Sequence, residues 1–165
     1  MKWRWLLLII AFIALIGAGI FLISGENSPA TSQNATTSLT LPQTQSPRLS
    51  VNDHIIYLDI SDTPEKRTQG LSGRDSMPQD HGMLFIFDSP QKPQFWMYEM
   101  KFPLDFVWIN GNKVVQLNEN IPAPLTGESP AVIRPDYPVD KVLEVNAGFI
   151  KSAAIKIGDE VKINL

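Results

Sequence analysis

Acidic side chains are the residues of this chain with the clearest chemical potential. Asp105, Glu99 and Glu144 lie in or beside apolar segments, where a carboxyl group can be held against a substrate. Two carboxyl groups about 5–10 Å apart can together cleave a glycosidic bond. Asp105 interrupts the apolar run 102–108, and strand alternation places it on the same face as Val107. This pattern predicts a partly buried carboxyl, for which a structural ion pair or a backbone cap is the competing interpretation.

Metal binding and nucleophilic catalysis have little support. The chain contains no Cys and two His, His54 and His81, so disulfides, thiolate metal sites and thiol nucleophiles are excluded. A catalytic zinc ion usually takes three protein ligands, and no matching His spacing is present. Methionines near His81 could bind Cu(I), but Met83 and Met97 lie in apolar segments typical of a core. Ser72 is not in a nucleophile elbow. We therefore predict neither a metal ion nor a cofactor.

A ligand site is predicted where Arg74, Trp96, Glu99 and Asp105 converge. Arg74 supplies a fork-shaped donor, Trp96 an aromatic face, and the two acids supply carboxylates near strand ends. A ligand site needs such a combination of a few polar groups on an apolar wall. The proline-rich loop 122–138 would flank it. The competing interpretation is that Arg74 and Asp105 pair with each other or cap the backbone, and that Trp96 packs in the core.

The elements that must position these residues are mostly short strands. Thr63-Pro64 predicts the start of a short helix that ends at Gly70, and Asn110-Gly111 predicts a hairpin turn. Alternating or continuous apolar segments predict strands at 52–60, 83–87, 104–109, 113–117, 141–146, 153–157 and 161–165. The fold class is therefore mostly β (α+β), a small closed or sandwich-like β domain with one or two short helices.

The N-terminal part of the chain predicts membrane attachment. Residues 6–23 are uninterruptedly apolar, and Lys2 and Arg4 precede them. Such a run predicts a transmembrane anchor over 1–23 with a cytoplasmic N-terminus, and a cleaved signal peptide is the alternative. Residues 24–48 are rich in Ser, Thr, Asn, Gln and Pro, which predicts a disordered linker. The single β-rich domain follows at 49–165, outside the cytoplasm.

Charge excludes one class of partner for this domain. Residues 49–165 carry 11 Lys and Arg against 16 Asp and Glu, with the two signs interspersed. A nucleic-acid interface needs a basic stripe, commonly with stacking aromatics, and none is present. An acidic balance also disfavours adsorption onto anionic lipid. The predicted contact with the membrane is therefore the N-terminal helix alone.

Five ordered motifs resemble one family over residues 50–165. The segments are Thr63–Arg74, Gly82–Phe85, Phe95–Met97, Pro103–Asp105 and Leu143–Gly148. Together they resemble the domain of unknown function 192 family, which is uncharacterised. The resemblance implies a compact, mostly β domain with a short helix, and it implies no activity, cofactor or catalytic residue. The chain departs from the family pattern at 98–100, where Tyr-Glu-Met replaces a small polar group ending in Thr.

Two functional hypotheses follow. The first is a binding or accessory module of the cell envelope, held outside the membrane and contacting an envelope polymer or a protein partner. The alternative is a small carboxylate-dependent hydrolase or sugar-modifying enzyme that uses a pair drawn from Asp105, Glu99 and Glu144. Whether the protein has enzymatic activity is left open by the sequence.

The predicted topology can be tested with protease added to intact spheroplasts. Because Lys2 and Arg4 are the only charges before the apolar run, we expect the β-rich domain to be outside and to be digested. A membrane-protected N-terminal fragment should remain, as detected by an N-terminal epitope tag. Full protection of the domain would contradict this topology.

Overall fold

A computed structural model describes residues 45–165 of the chain. The predicted anchor at 1–23 and nearly all of the predicted linker lie outside the described residues. Within residues 45–165, no helix has the length and apolar character that a membrane span requires. The elements are β1 (Arg48–Val51), β2 (His54–Ser61), α1 (Pro64–Gln69), β3 (His81–Gln91), β4 (Phe95–Trp96), β5 (Leu104–Asn110), β6 (Lys113–Ile121), β7 (Val132–Ile133), β8 (Val139–Asn146), α2 (Phe149–Ser152) and β9 (Val161–Asn164).

The strands form one curled seven-stranded sheet with the order β6-β5-β8-β3-β2-β1-β9, and β4 pairs with β7 separately. All neighbours in the large sheet are antiparallel except β2 and β3, whose parallel pairing follows from the crossover through α1. The two ends of the sheet meet. Val114 N–H donates to Asp159 O at 2.9 Å, and Val161 N–H donates to Asn112 O at 2.8 Å. The predicted mostly β fold with short helices is confirmed.

Helix α1 begins and ends where the sequence predicts. The Thr63 side chain accepts a hydrogen bond from Lys66 N–H at 3.3 Å, and Pro64 occupies the first helical position. At the other end Gly70 adopts φ +51 and ψ −135, a backbone conformation that is open to glycine and costly for other residues. The helix is short because its two capping residues, Thr63 and Gly70, flank only six helical residues.

The central strands β3, β5 and β8 are buried on both faces. Their inner face joins a core inside the curled sheet, which includes Leu84, Val107 and Leu143. Their outer face joins a second core, which includes Phe85 and Trp108 and is covered by the segments around β4 and β7. Alternate residues of one strand therefore belong to different cores.

Gly82 allows β3 and β8 to lie this close at the inner core. A Cβ atom at position 82 would lie 2.8 Å from the backbone oxygen of Glu144 and 3.0 Å from a methyl carbon of Leu143. Real Cβ atoms do not approach backbone oxygens so closely, so any side chain at position 82 would push the two strands apart. Glycine is required here by space rather than by backbone conformation.

Two details of the predicted elements are wrong, and the predicted loop 122–138 contains one short strand outside the large sheet. Residues 153–157 are not a strand: Ala153 N–H and Ile155 N–H bond back to the carbonyls of Phe149 and Ile150, so their alternate burial comes from turns after α2. The hairpin turn lies one residue later than predicted, at 111–112, because Asn110 pairs with Lys113. The loop 122–138 contains the two-residue strand β7, which pairs with β4.

Candidate functional site

Asp105 lies inside the curled sheet and holds the backbone of two other elements. Its side chain is fully buried, and its carboxylate accepts hydrogen bonds from Asn120 N–H at 2.7 Å and Ile150 N–H at 2.9 Å. β6 has one extra residue opposite Asp105, where the register with β5 shifts between Leu104 and Phe106. The carboxylate thus satisfies the N–H of a β-bulge and the N–H of the first turn of α2. Each of its two oxygens therefore accepts a hydrogen bond from the backbone.

Glu144 lies on the opposite face of the sheet. Across the strands it is paired with Phe106 on one side and Met83 on the other, and both belong to the outer core. Asp105 is paired with Val145, which belongs to the inner core. Because neighbouring strand positions face opposite sides, the sheet separates the carboxyl groups of Asp105 and Glu144. The structure does not bring these two acids together as a catalytic pair.

The environment of Glu144 favours its neutral form. The residue is 5 % exposed, and no hydrogen bond from the described residues stabilises its carboxylate. Burial raises the pKa of Glu144 to about 8, and the nearby positive charge of Arg74 opposes this shift only in part. At neutral pH the group is therefore mostly a carboxylic acid, which can donate a hydrogen bond.

Among the described residues, neither Arg74 nor Glu99 forms an ion pair or hydrogen bond with Asp105 or Glu144, although the charge of Arg74 is close enough to act on Glu144. The Arg74 guanidinium forms an ion pair of 2.6 Å with Asp59, in a surface depression beside β2. Glu99 is exposed on a turn with φ +54, where its carbonyl oxygen accepts a hydrogen bond from Gly73 N–H. The competing interpretation was that Arg74 and Asp105 pair with each other or cap the backbone: Arg74 pairs with Asp59 instead, and Asp105 does cap the backbone. Of the four predicted site residues, two line cavities: Arg74 lines the depression beside β2, of about 510 Å³, and Trp96 lines a separate cavity with aromatic walls.

That cavity is a cleft between α1 and the strands β3 and β4. Its volume is about 450 Å³, and we call it the aromatic cleft. It is lined by Pro64, Arg67, Thr68, Phe85, Phe87, Pro93, Gln94, Phe95 and Trp96. Trp96 is 52 % exposed and lies beside Tyr98, which is 49 % exposed, with ring centroids 5.6 Å apart. Two accessible aromatic rings therefore adjoin an open cavity.

Arg67 is the cation of the aromatic cleft, and it is held rigidly. Its Nη1 donates to the carbonyl oxygens of Asp62 at 2.8 Å and Ile86 at 2.9 Å. The guanidinium also lies over the Phe87 ring, 5.4 Å from the centroid. Across the cleft, the Gln94 side chain accepts a hydrogen bond from Arg134. These contacts fix the polar groups in place before any ligand binds.

A narrow slot adjoins the aromatic cleft. It shares Arg67, Thr68, Phe85, Phe95 and Trp96 with the cleft, and its volume is about 20 Å³, room for about one water molecule. Glu144 lines the slot but not the cleft. The carboxyl group of Glu144 therefore lies at a cavity that shares three aromatic residues, Phe85, Phe95 and Trp96, with the cleft.

Sequence reasoning missed Arg67, Phe87 and Gln94, and it weighed Glu144 only as one half of a catalytic pair. Arg67 lies in the last turn of a helix, where a cation is common for helix-dipole reasons alone.

The described residues offer no metal site around His81, which is half-exposed and contacts Asp80 at 2.8 Å. Within residues 45–165, no three His, Asp or Glu side chains are grouped as metal ligands would be.

Comparisons with known proteins give a family and a fold. The DUF192 family model, described as "Uncharacterized ACR", matches residues 48–163. A crystal structure from Sinorhizobium meliloti 1021, provisionally described as a transcription regulator, is 32% identical, with a TM-score of 0.63 over 71% of this chain and 91% of that one. A protein of unknown function from Novosphingobium aromaticivorans DSM 12444 is 22% identical, with a TM-score of 0.62 over 82% and 99% of the two chains. Among curated proteins, none matches.

The Asp105→Asn substitution tests the structural role of the inner carboxylate. The amide turns an NH2 group toward one of the two backbone N–H groups, so one charge-assisted hydrogen bond is lost. We expect the free energy of unfolding to fall by about 1.5–3 kcal/mol, measured by urea denaturation of the full-length protein. Asp75→Asn, at an exposed ion pair with Lys101, is the control and should leave stability nearly unchanged. Equal stability of both variants would contradict the assigned role.

Glu144 should make stability depend on pH in a defined direction. The group titrates near 4.5 when unfolded and near 8 when folded, so between these values the folded protein binds more protons. The free energy of unfolding should therefore fall as pH rises from about 4.5 to about 8. Glu144→Gln removes this contribution, so its stability relative to wild type should increase between pH 5 and pH 8. Parallel melting curves of the two proteins across this range would refute the shift.

Proposed function

Because the chain belongs to the DUF192 family, whose description assigns no activity, we propose from the geometry that it is a binding module. Its ligand is a saccharide chain of the cell envelope, bound in the aromatic cleft. The observation that carries the proposal is the cleft itself, with the exposed Trp96–Tyr98 ring pair at its side and the rigid Arg67 guanidinium in its wall. The domain would present this cleft outside the membrane.

Saccharide binding follows from the mixture of groups around the cleft. The half-exposed ring of Trp96 and the partly buried ring of Phe87 offer apolar surface to a sugar ring. Arg67 and Gln94 offer polar groups to hydroxyl and carbonyl oxygens. Ligand sites typically combine an apolar wall with a few fixed polar groups, and the contacts of Arg67 supply that rigidity.

The alternative hypothesis is a carboxylate-dependent enzyme, which needs two acids, and the cleft and the slot are lined by only one. Cleavage of a glycosidic bond by two carboxyl groups requires both to reach the same bond. Asp105 faces the inner core, and Glu99 lines neither the cleft nor the slot. Glu144 is the one acidic residue among those lining the two cavities. A binding role needs only one such group.

Membrane attachment and the absence of a nucleic-acid role remain part of the proposal. The apolar run 6–23 with Lys2 and Arg4 supports an anchor, and residues 24–48 would act as a linker. The relative from Sinorhizobium meliloti is described provisionally as a transcription regulator. For this chain the acidic excess in residues 49–165 argues against DNA as the ligand. A ligand of the cell envelope agrees better with the apolar run at 6–23 and with the acidic excess in residues 49–165.

The Trp96→Ala substitution tests the binding site. The side chain is half-exposed, so its removal should weaken saccharide binding about tenfold while leaving the melting temperature nearly unchanged. Binding of cellohexaose and chitohexaose to the full-length protein in nanodiscs can be measured by calorimetry. Tyr137→Ala, at an exposed ring that does not line the cleft, is the matched control and should bind as wild type does.

Two outcomes would contradict the proposed function. If neither oligosaccharide binds at millimolar concentration, a saccharide is not the ligand. If Trp96→Ala and Tyr137→Ala weaken binding equally, the saccharide binds elsewhere on the domain.

A further inference from the structure

We infer that the slot is a subsite for the carbonyl group of an N-acetyl substituent, and that Glu144 determines this specificity by donating a hydrogen bond to the carbonyl oxygen. The inference rests on the proposed function and extends it from saccharides in general to N-acetylated sugars. It assigns a role to Glu144, which is the one acidic residue lining the two cavities and receives no hydrogen bond from the described residues.

The two cavities differ in size, so they can accept different parts of one ligand. The aromatic cleft, at about 450 Å³, can accept a sugar ring, whereas the slot, at about 20 Å³, can accept one small group. The two cavities share five lining residues, so a substituent on a ring in the cleft can enter the slot. A short substituent on the ring is therefore the natural occupant.

The slot and the adjoining wall of the cleft together suit an acetyl group. The slot has room for the carbonyl oxygen, and Phe85 and Phe95, which line both cavities, can contact the methyl group from the side of the cleft. Glu144 is the polar group on the outer face of β8, between Met83 and Phe106. An acetyl group presents one methyl and one strong hydrogen-bond acceptor, which match these two kinds of surface.

The charges near Glu144 favour an acceptor over a cation. Arg67 of α1 lines the slot, and Arg74 from the segment after α1 acts on Glu144 electrostatically. The neighbours of Glu144 on β3 and β5 are uncharged. Two guanidinium groups would repel the ammonium group of a deacetylated amino sugar, while the carbonyl oxygen of an amide is attracted to them.

Buried Glu144 also has the protonation state that the role requires. Its pKa is raised to about 8 by burial, so at neutral pH the carboxyl group carries the proton that it would donate. A buried polar group without a partner costs stability, and the ligand would supply the missing partner. A site built to hydrogen-bond one group discriminates strongly against analogues that lack it.

The test compares three hexasaccharides with different groups at C2: N-acetyl (chitohexaose), hydroxyl (cellohexaose) and ammonium (glucosamine hexamer). Calorimetry with the full-length wild type at pH 7 should give the tightest binding for N-acetyl and the weakest for ammonium. Glu144→Ala should reduce the preference for N-acetyl over hydroxyl to within about twofold. Glu144→Gln should restore it, since the amide also donates a hydrogen bond.

A pH series supplies a readout that a purely structural role would not give. Wild-type affinity for chitohexaose should fall as pH rises above 8, toward the affinity of Glu144→Ala, because the ionised group has lost its donor. Glu144→Gln should show no such fall. Trp96→Ala should weaken binding of all three hexasaccharides in proportion, without changing their order.

The outcomes separate this inference from the proposed function. If all three hexasaccharides bind equally, or if Glu144→Ala keeps the acetyl preference, the slot is not an acetyl subsite although the cleft still binds saccharide. If the glucosamine hexamer binds most tightly and its affinity rises with pH, Glu144 acts as an anion and the inference is wrong. If no hexasaccharide binds, both proposals fail.

Discussion

The structure depends on the burial of β3, β5 and β8 on both faces. In an ordinary curled sheet one face is packed and the other faces water, but here the segments around β4 and β7 cover the outer face with a second core. This burial on both faces constrains single positions, because consecutive residues of a strand face different apolar cores and each must fit the core that it faces. It leaves little room for polar side chains in these strands, so each one that is present has a strong effect.

Two acids occupy such positions, and they illustrate opposite solutions to the burial of a carboxyl group. Asp105 obtains two backbone N–H donors and thereby joins the bulge of β6 to the first turn of α2. Glu144 obtains no donor among the described residues and instead becomes neutral. The first solution produces stability and leaves nothing free for a ligand. The second costs stability and leaves a hydrogen-bonding group unused, which is typical of a functional position.

Local features of the sequence predicted the parts of the fold that are determined locally. Thr63, Pro64 and Gly70 specify α1, and alternation around Asp105 predicted its burial together with Val107. The chemistry of Glu144 could not be predicted in this way, because Met83 and Phe106 become its neighbours only when β3, β5 and β8 pair. Likewise the cleft joins Arg67 of α1 to residues of β3 and β4, and no spacing in the sequence indicates that contact.

The place of β9 in the sheet has a consequence for synthesis of the chain. β9 and the turn before it join β1, from the start of the domain, to the beginning of β6. It also follows every other described strand in the sequence, so a ribosome-bound chain that lacks β9 leaves β1 and β6 unbridged. The nascent domain therefore cannot complete its hydrogen-bonded ring until β9 has emerged from the ribosome, and ring closure follows the synthesis of all the strands that it joins.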